Sequence, residues 1–192
     1  MNDETKQIAE RDLKRSQLLN DFKSIYEDTL PERVDRYLEI AHQDIIPNHY
    51  FAAASTQCID LYKDGYFISA VMVTQAVHEG IMKLIAERNG IRAKLEHSVL
   101  VRQLVRQNVI SNECAAASNR IWTSFRNDVH HMNPKVTEIS FDALSKRNLL
   151  DLAFIEKEIF AVDVTSAGLV PKQPKYWDVA ENGTVSVFLR LI

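Results

Sequence analysis

The densest chemistry in this 192-residue chain lies in six consecutive residues, Arg126-Asn127-Asp128-Val129-His130-His131. Arginine carries a forked, permanently charged set of donors whose geometry matches a phosphate. Histidine titrates near neutrality and can therefore take up or release a proton at ordinary pH. On a helix, Arg126 and His130 lie one turn apart on one face, and His131 lies further round. An arginine and an imidazole held together are sufficient for phosphodiester chemistry without a metal ion.

Other residues with chemical potential are weaker candidates. Between Arg88 and Arg126 the chain carries Arg88, Arg92, Lys94, Arg102, Arg106, Arg120 and Arg126 against only Glu96 and Glu113. Arg102 and Arg106 share a helix face at i, i+4, and with Arg120 they are candidate RNA contacts or, equally, a solvated face. The net charge of −3 gives no global pull toward nucleic acid or acidic membranes, so any anion site must be local. His78-Glu79 resembles the start of a zinc-protease motif, but Met82 and Lys83 stand around the position of the required second histidine. His78 and Glu79 are therefore expected to pack and face the surface of their helix, with Glu79 able to reach the cleft. Cys58 and Cys114, the two cysteines of the chain, are far apart and without CxxC spacing, which argues against a disulfide framework and a zinc site. Cys114 has no base near it in sequence. Trp122 and Phe125 read as core or interface residues.

The elements that must position these residues are helices. Hydrophobic residues make up 46% of the chain and charged residues 26%, while five glycines and five prolines are too few for a fold built on many tight turns. Periodicity predicts helices over 4–29 (Leu18, Phe22, Ile25, Thr29), from Pro31 to about 44, over 48–63, and over 66–88 (Ala70, Val73, Val77, Ile81, Leu84, Ile85). Further helices are expected over 95–108, from a Ser111 cap toward Met132, and over 141–160 (Phe141, Leu144, Asn148, Leu152, Ile155, Ile159). Asp64-Gly65 is a short hinge that makes the third and fourth helices antiparallel neighbours, and Asn133-Pro134 closes the motif helix. Asn182-Gly183 between the alternating stretches 176–179 and 184–192 predicts a β-hairpin. The expected layout is mainly α: an acidic N-terminal helical extension over 1–47, an antiparallel helical bundle over 48–162, and a hairpin appendage over 163–192. Charges begin at Asp3, so no secretory signal is expected. No apolar run approaches the roughly 20 residues that span a bilayer, and a cytoplasmic, reducing setting is the expectation.

Taken with these helices, the motif resembles that of the HEPN superfamily, helical-bundle proteins that include many prokaryotic defence and toxin ribonucleases. The family hallmark is an arginine, usually followed by a polar residue, and then a histidine after four to six intervening positions near a helix end. Arg126, Asn127 and His131 fit it, and His130 falls one position short. The resemblance covers about residues 48–160. It implies a homodimer in which two motif helices face each other and pool their arginines and histidines. Such sites cut RNA without a metal or cofactor: the 2′-hydroxyl attacks the adjacent phosphate, leaving a 2′,3′-cyclic phosphate and a 5′-hydroxyl. Arg126 would hold the phosphate, His131 would act as general acid or base, and Asn127 would orient either group, with Asp128 and His130 in support. The implied partners are RNA, a second copy of the chain, and an antitoxin or other regulatory protein. Relatives paired with a nucleotidyltransferase antitoxin carry a tyrosine two positions after the histidine as the modification target; Asn133 stands there in this chain, a departure from that pattern.

Two rival expectations use the same bundle. One is a non-catalytic module that binds RNA or protein, and the other is a purely structural dimerisation domain.

Overall fold

Helix-period stripes of apolar residues run through most of the chain, and the computed structural model, which describes residues 3–166 and 168–190, is mainly helical. Seven α-helices occur among the described residues: α1 (Asp3–Leu38), α2 (Ala52–Lys63), α3 (Phe67–Arg88), α4 (His97–Arg106), α5 (Asn112–Trp122), α6 (Arg126–His131) and α7 (Phe141–Ile159). Short strands follow the same chain order: β1 (Ile45–Pro47), β2 (Val162–Thr165), β3 (Gly168–Pro171) and β4 (Val187–Leu189). No helix among the described residues is long and apolar enough to cross a membrane.

The central helix is α3, which packs against α2, α5, α6 and α7. Its expected stripe is buried at Ala70, Val77, Ile81, Leu84 and Ile85, with Val73 packed at the edge. Leu144, Asn148, Leu152, Ile155 and Ile159 of α7 face the same interior. Gly65 turns α2 into α3 at φ 82°, a left-handed conformation that glycine adopts without steric cost. The Ser111 hydroxyl accepts from the Cys114 amide at 3.0 Å and so caps α5. Ser111 in turn donates to Glu158 of α7 through both its amide and its hydroxyl, which ties the start of α5 to the end of α7.

Three expectations need correction. Pro31 does not start a second helix; it lies inside α1, which runs on to Leu38 and ends there rather than near residue 44. The ring removes one amide donor and frees the carbonyl of Glu27, but that residue is exposed, so water can satisfy it. The stripe of Leu18, Phe22 and Ile25 exists, yet residues 4–28 are exposed throughout, and α1 meets α2 only near its C-terminal end, where Arg36 donates to the Lys63 carbonyl and Arg33 to Asp64. The helix expected to run from Ser111 toward Met132 breaks at 123–125, which leaves α6 as a separate six-residue helix.

The third correction concerns the C-terminal segment. Asn182-Gly183 does form a tight turn, closed by Ala180 N–H to the Thr184 carbonyl and a single Val179–Val185 bridge. The chain then leaves its hairpin partner, and β4 pairs antiparallel with β1, setting Phe188 opposite Ile46. The hairpin with a regular ladder is β2–β3, upstream of the expected position. Residues 191 and 192 of the expected strand lie outside the described residues. Phe188 and Arg190 turn inward, while Val187 and Leu189 face out. Arg190 explains this register. Its guanidinium donates to both oxygens of Glu156 at 2.8 Å and to the Ser55 hydroxyl, and a second arm donates to the Gln43 carbonyl. This ion pair is enclosed by α2, α7 and the β1 segment, and it anchors the end of the chain to the bundle.

Candidate functional site

The motif helix α6 is bracketed by two non-glycine residues in the left-handed region, Phe125 at φ 53° and Met132 at φ 49°. Each costs about 1–2 kcal/mol relative to ordinary helical backbone. Both side chains are exposed, so their own burial does not hold them there. Buried contacts around them do. Val129 is fully buried between Val71 and Leu144, and it pins α6 to α3 and α7.

The strongest restraint comes from Gln75 on α3. Its amide nitrogen donates at 2.9 Å to both the carbonyl and the hydroxyl of Ser124, within the break between α5 and α6. Ser124 donates its own hydroxyl to the Ile121 carbonyl and accepts a further bond from Asn148 of α7. Gln75, Ser124 and Asn148 are all buried. In an apolar interior these polar groups are stable only when hydrogen-bonded, so together they specify the break.

One turn along α3 from Gln75 stands Glu79, and one turn along α6 from Arg126 stands His130. The two helices meet in opposed order. Arg126 Nη2 donates to Glu79 Oε2 at 2.6 Å, and His130 Nε2 lies 3.1 Å from Gln75 Oε1. Arg126 also rests on the Trp122 ring, with 4.3 Å from its Cζ to the ring centroid, a cation–π contact. Its Nη1 is buried and makes no hydrogen bond among the described residues. Lys83 Nζ, 2.7 Å from the other Glu79 oxygen, extends the charge cluster. Burial pushes the Glu79 carboxyl up, but the hydrogen bonds from Lys83 and Arg126 outweigh it and leave the group below the usual carboxylate range.

Two histidines lie beneath this surface. His78 is fully buried and shares a 2.8 Å hydrogen bond with the Ser118 hydroxyl, and its Nδ1 has no partner among the described residues. Burial, aided by His97 and Arg126, holds its pKa down to about 3, so its ring is neutral. His97 stacks on Trp122 with 4.3 Å between ring centroids, and burial lowers its pKa as well. Glu79, Lys83, His97, Leu100 and Trp122 line a small cavity of about 30 Å³.

The remaining sequence candidates divide by location. Asn127 and His131 are exposed and have no side-chain hydrogen bond among the described residues. Asp128 accepts from Asn133 Nδ2 at 3.1 Å, a bond that helps to close the end of α6. Arg102 and Arg106 are exposed on α4 and form no ion pair among the described residues. Arg120 is held by both oxygens of Asp151 at 3.0 and 2.6 Å, so its charge is matched within the protomer. Trp122 is a half-buried platform for Arg126 rather than a core residue, and Phe125 is 45% exposed. Among the described residues no group of three or more His, Cys, Asp or Glu is arranged to hold a metal ion.

Sequence reasoning left out Gln75, Lys83, His97, Ser118, Ser124 and Asn148 as parts of this site. The available signal was polarity in the wrong place: Gln75, His78 and Glu79 recur at i, i+3 and i+4 on the most hydrophobic helix of the chain. Compared with family models, curated proteins and solved structures, the chain matches none.

Proposed function

We propose that the chain is a metal-independent endoribonuclease of HEPN type that acts as a homodimer in a toxin or phage-defence role. One observation carries this reading. Arg126 is half-buried and braced on Trp122, its charge is answered at only one nitrogen by Glu79, and two imidazoles sit on the same short helix. A guanidinium suits the phosphate oxygens on which negative charge builds during in-line attack, and a shift of the Arg126 side chain away from Glu79 would turn its buried, unpartnered Nη1 toward a phosphate. Arg126 binds the scissile phosphate, Asn127 orients it, and His131, exposed at the end of α6, transfers a proton. A second copy supplies the opposing wall, because the cavity beside Arg126 in one protomer is too small for a sugar-phosphate link. An antitoxin or other regulatory protein restrains the activity.

The test uses purified protein and RNA in EDTA. Cleavage leaving a 2′,3′-cyclic phosphate is expected, with Arg126→Ala and His131→Ala each abolishing it while the dimer mass is retained. Activity that needs a divalent ion, or that survives both substitutions, overturns the mechanism.

Glu79 favours a second reading, a non-catalytic RNA- or protein-binding module. A carboxylate in contact with Arg126 competes with a phosphate for its donors. That reading predicts salt-sensitive RNA retention with the RNA intact after long incubation.

A further inference from the structure

The nuclease reading accounts for one proton transfer, whereas cleavage by a 2′-hydroxyl requires two. A proton must leave that hydroxyl, and another must reach the departing 5′-oxygen. The hydrogen-bond directions around Gln75 bear on the first.

Ser124 commits its hydroxyl proton to the Ile121 carbonyl, so its Oγ can only accept from Gln75. The Ser124 carbonyl is likewise an acceptor, so both hydrogens of the Gln75 amide point at Ser124. Rotating the amide by half a turn would set Gln75 Oε1 against that carbonyl oxygen, which is repulsive, and leave the buried carbonyl unmet, since only the Ser124 hydroxyl has a second donor, Asn148. Gln75 Oε1 must therefore face His130, and at 3.1 Å it requires a proton on His130 Nε2. A neutral His130 then carries its lone pair on Nδ1, which has no hydrogen-bond partner among the described residues. His131, by contrast, has no contact among the described residues that selects a tautomer. The opposed pairing of Gln75 and Glu79 with His130 and Arg126 also places the fixed imidazole beside the guanidinium, one helical turn away.

We propose that His130, oriented by Gln75 and held in its Nε2–H form, is the general base of this site and accepts the 2′-hydroxyl proton on Nδ1. Gln75 is a positioning residue. This rests on the nuclease reading. In the step, the proton passes from the 2′-hydroxyl to Nδ1 as the 2′-oxygen bonds to phosphorus. The bond from phosphorus to the 5′-oxygen breaks, and that oxygen takes a proton from His131 in its imidazolium form. The products are the 2′,3′-cyclic phosphate and a 5′-hydroxyl, and one proton has been taken up and one given.

Long-range ¹H–¹⁵N spectra of the labelled full chain at about pH 8, where an ordinary imidazole is neutral, report the tautomer directly. The His130 signals are assigned by their loss in His130→Ala. The expected result is a protonated Nε2 and a bare Nδ1, replaced by a tautomer mixture in Gln75→Leu. In the RNA assay, His130→Ala should slow single-turnover cleavage by about a hundredfold or more, with added imidazole restoring part of the rate. A protonated Nδ1 in the native chain, a spectrum unchanged by Gln75→Leu, or wild-type cleavage by His130→Ala overturns the assignment and leaves the nuclease reading standing. Absence of cleavage by the native protein removes the nuclease reading, and the base assignment with it.

Discussion

Two arginine–glutamate pairs in this molecule make opposite uses of the same chemistry. Arg190 and Glu156 are 3% and 2% exposed, and the guanidinium reaches both carboxylate oxygens, the Ser55 hydroxyl and the Gln43 carbonyl. Arg126 and Glu79 are each 29% exposed, share one hydrogen bond, and leave Arg126 Nη1 without a partner among the described residues. The first pair is enclosed and answered on several sides, with Arg190 Nε alone left without a partner among the described residues, and it joins the C-terminal segment to α2 and α7. The second is partly open to water and joined by a single hydrogen bond. A charge enclosed in this way is locked to its partner, whereas one that water still reaches can exchange that partner for a ligand.

The largest expected effect tests the enclosed pair. Glu156→Ala or Arg190→Ala strands a buried charge and should lower the unfolding free energy by about 3–5 kcal/mol in urea titrations. Replacing both with apolar residues of similar volume should recover most of that loss. Arg126→Ala should cost no more than about 1 kcal/mol, because its pair is partly screened by water. Equal losses from the two arginine substitutions would erase the contrast.

Next in size is a pH effect beneath the open pair. His78 has an ordinary histidine pKa in the unfolded chain and about 3 in the folded one, so below pH 6.5 the unfolded state binds a proton that the native state refuses. Stability is therefore full above 6.5 and falls with pH, by roughly 2 kcal/mol between pH 6.5 and 5 from this residue alone. His97, also depressed, acts in the same direction. Denaturation curves of His78→Gln should show a visibly flatter dependence over that interval; an unchanged slope would mean that His78 is reached by water in the native state.

A smaller effect concerns the strained end of α6. Phe125→Gly removes the left-handed penalty and should stabilise the chain by about 0.5–1 kcal/mol. If the strain serves to aim α6, RNA cleavage should fall even as the melting temperature rises. The smallest effect is expected from Glu79→Gln, which should move stability by less than about 0.5 kcal/mol and tighten RNA retention about threefold at low salt. Weaker retention would show that Glu79 orients Arg126 for RNA instead of competing with it.

Several elements of the fold could be read from residue order alone. The stripes of α3 and α7 repeat with helical period, and each buries the side that the spacing marked out. The turn at Gly65 and the Ser111 cap carry local signatures. The break at 123–125 carries none, since Thr123-Ser124-Phe125 contains neither glycine nor proline. It exists because Gln75, far away in the chain, takes the carbonyl that a continuous helix would have used. Pro31 erred in the other direction: a strong local signal for a helix start was overridden because an exposed helix can leave the freed carbonyl to water. The pairing of β4 with β1 follows from Arg190 finding Glu156, a contact between residues on different elements that no periodicity encodes.

The same division runs through the candidate site. Residue order determined that an arginine, an asparagine and two histidines would fall within one helical stretch, because side-chain type and spacing are local properties of the chain. Only the packed structure decided which of their atoms are already spoken for. Glu79 and Trp122 reach Arg126, and Gln75 reaches His130, only because α3 and α6 cross in opposed order, so the direction of each hydrogen bond depends on groups that the chain brings together late.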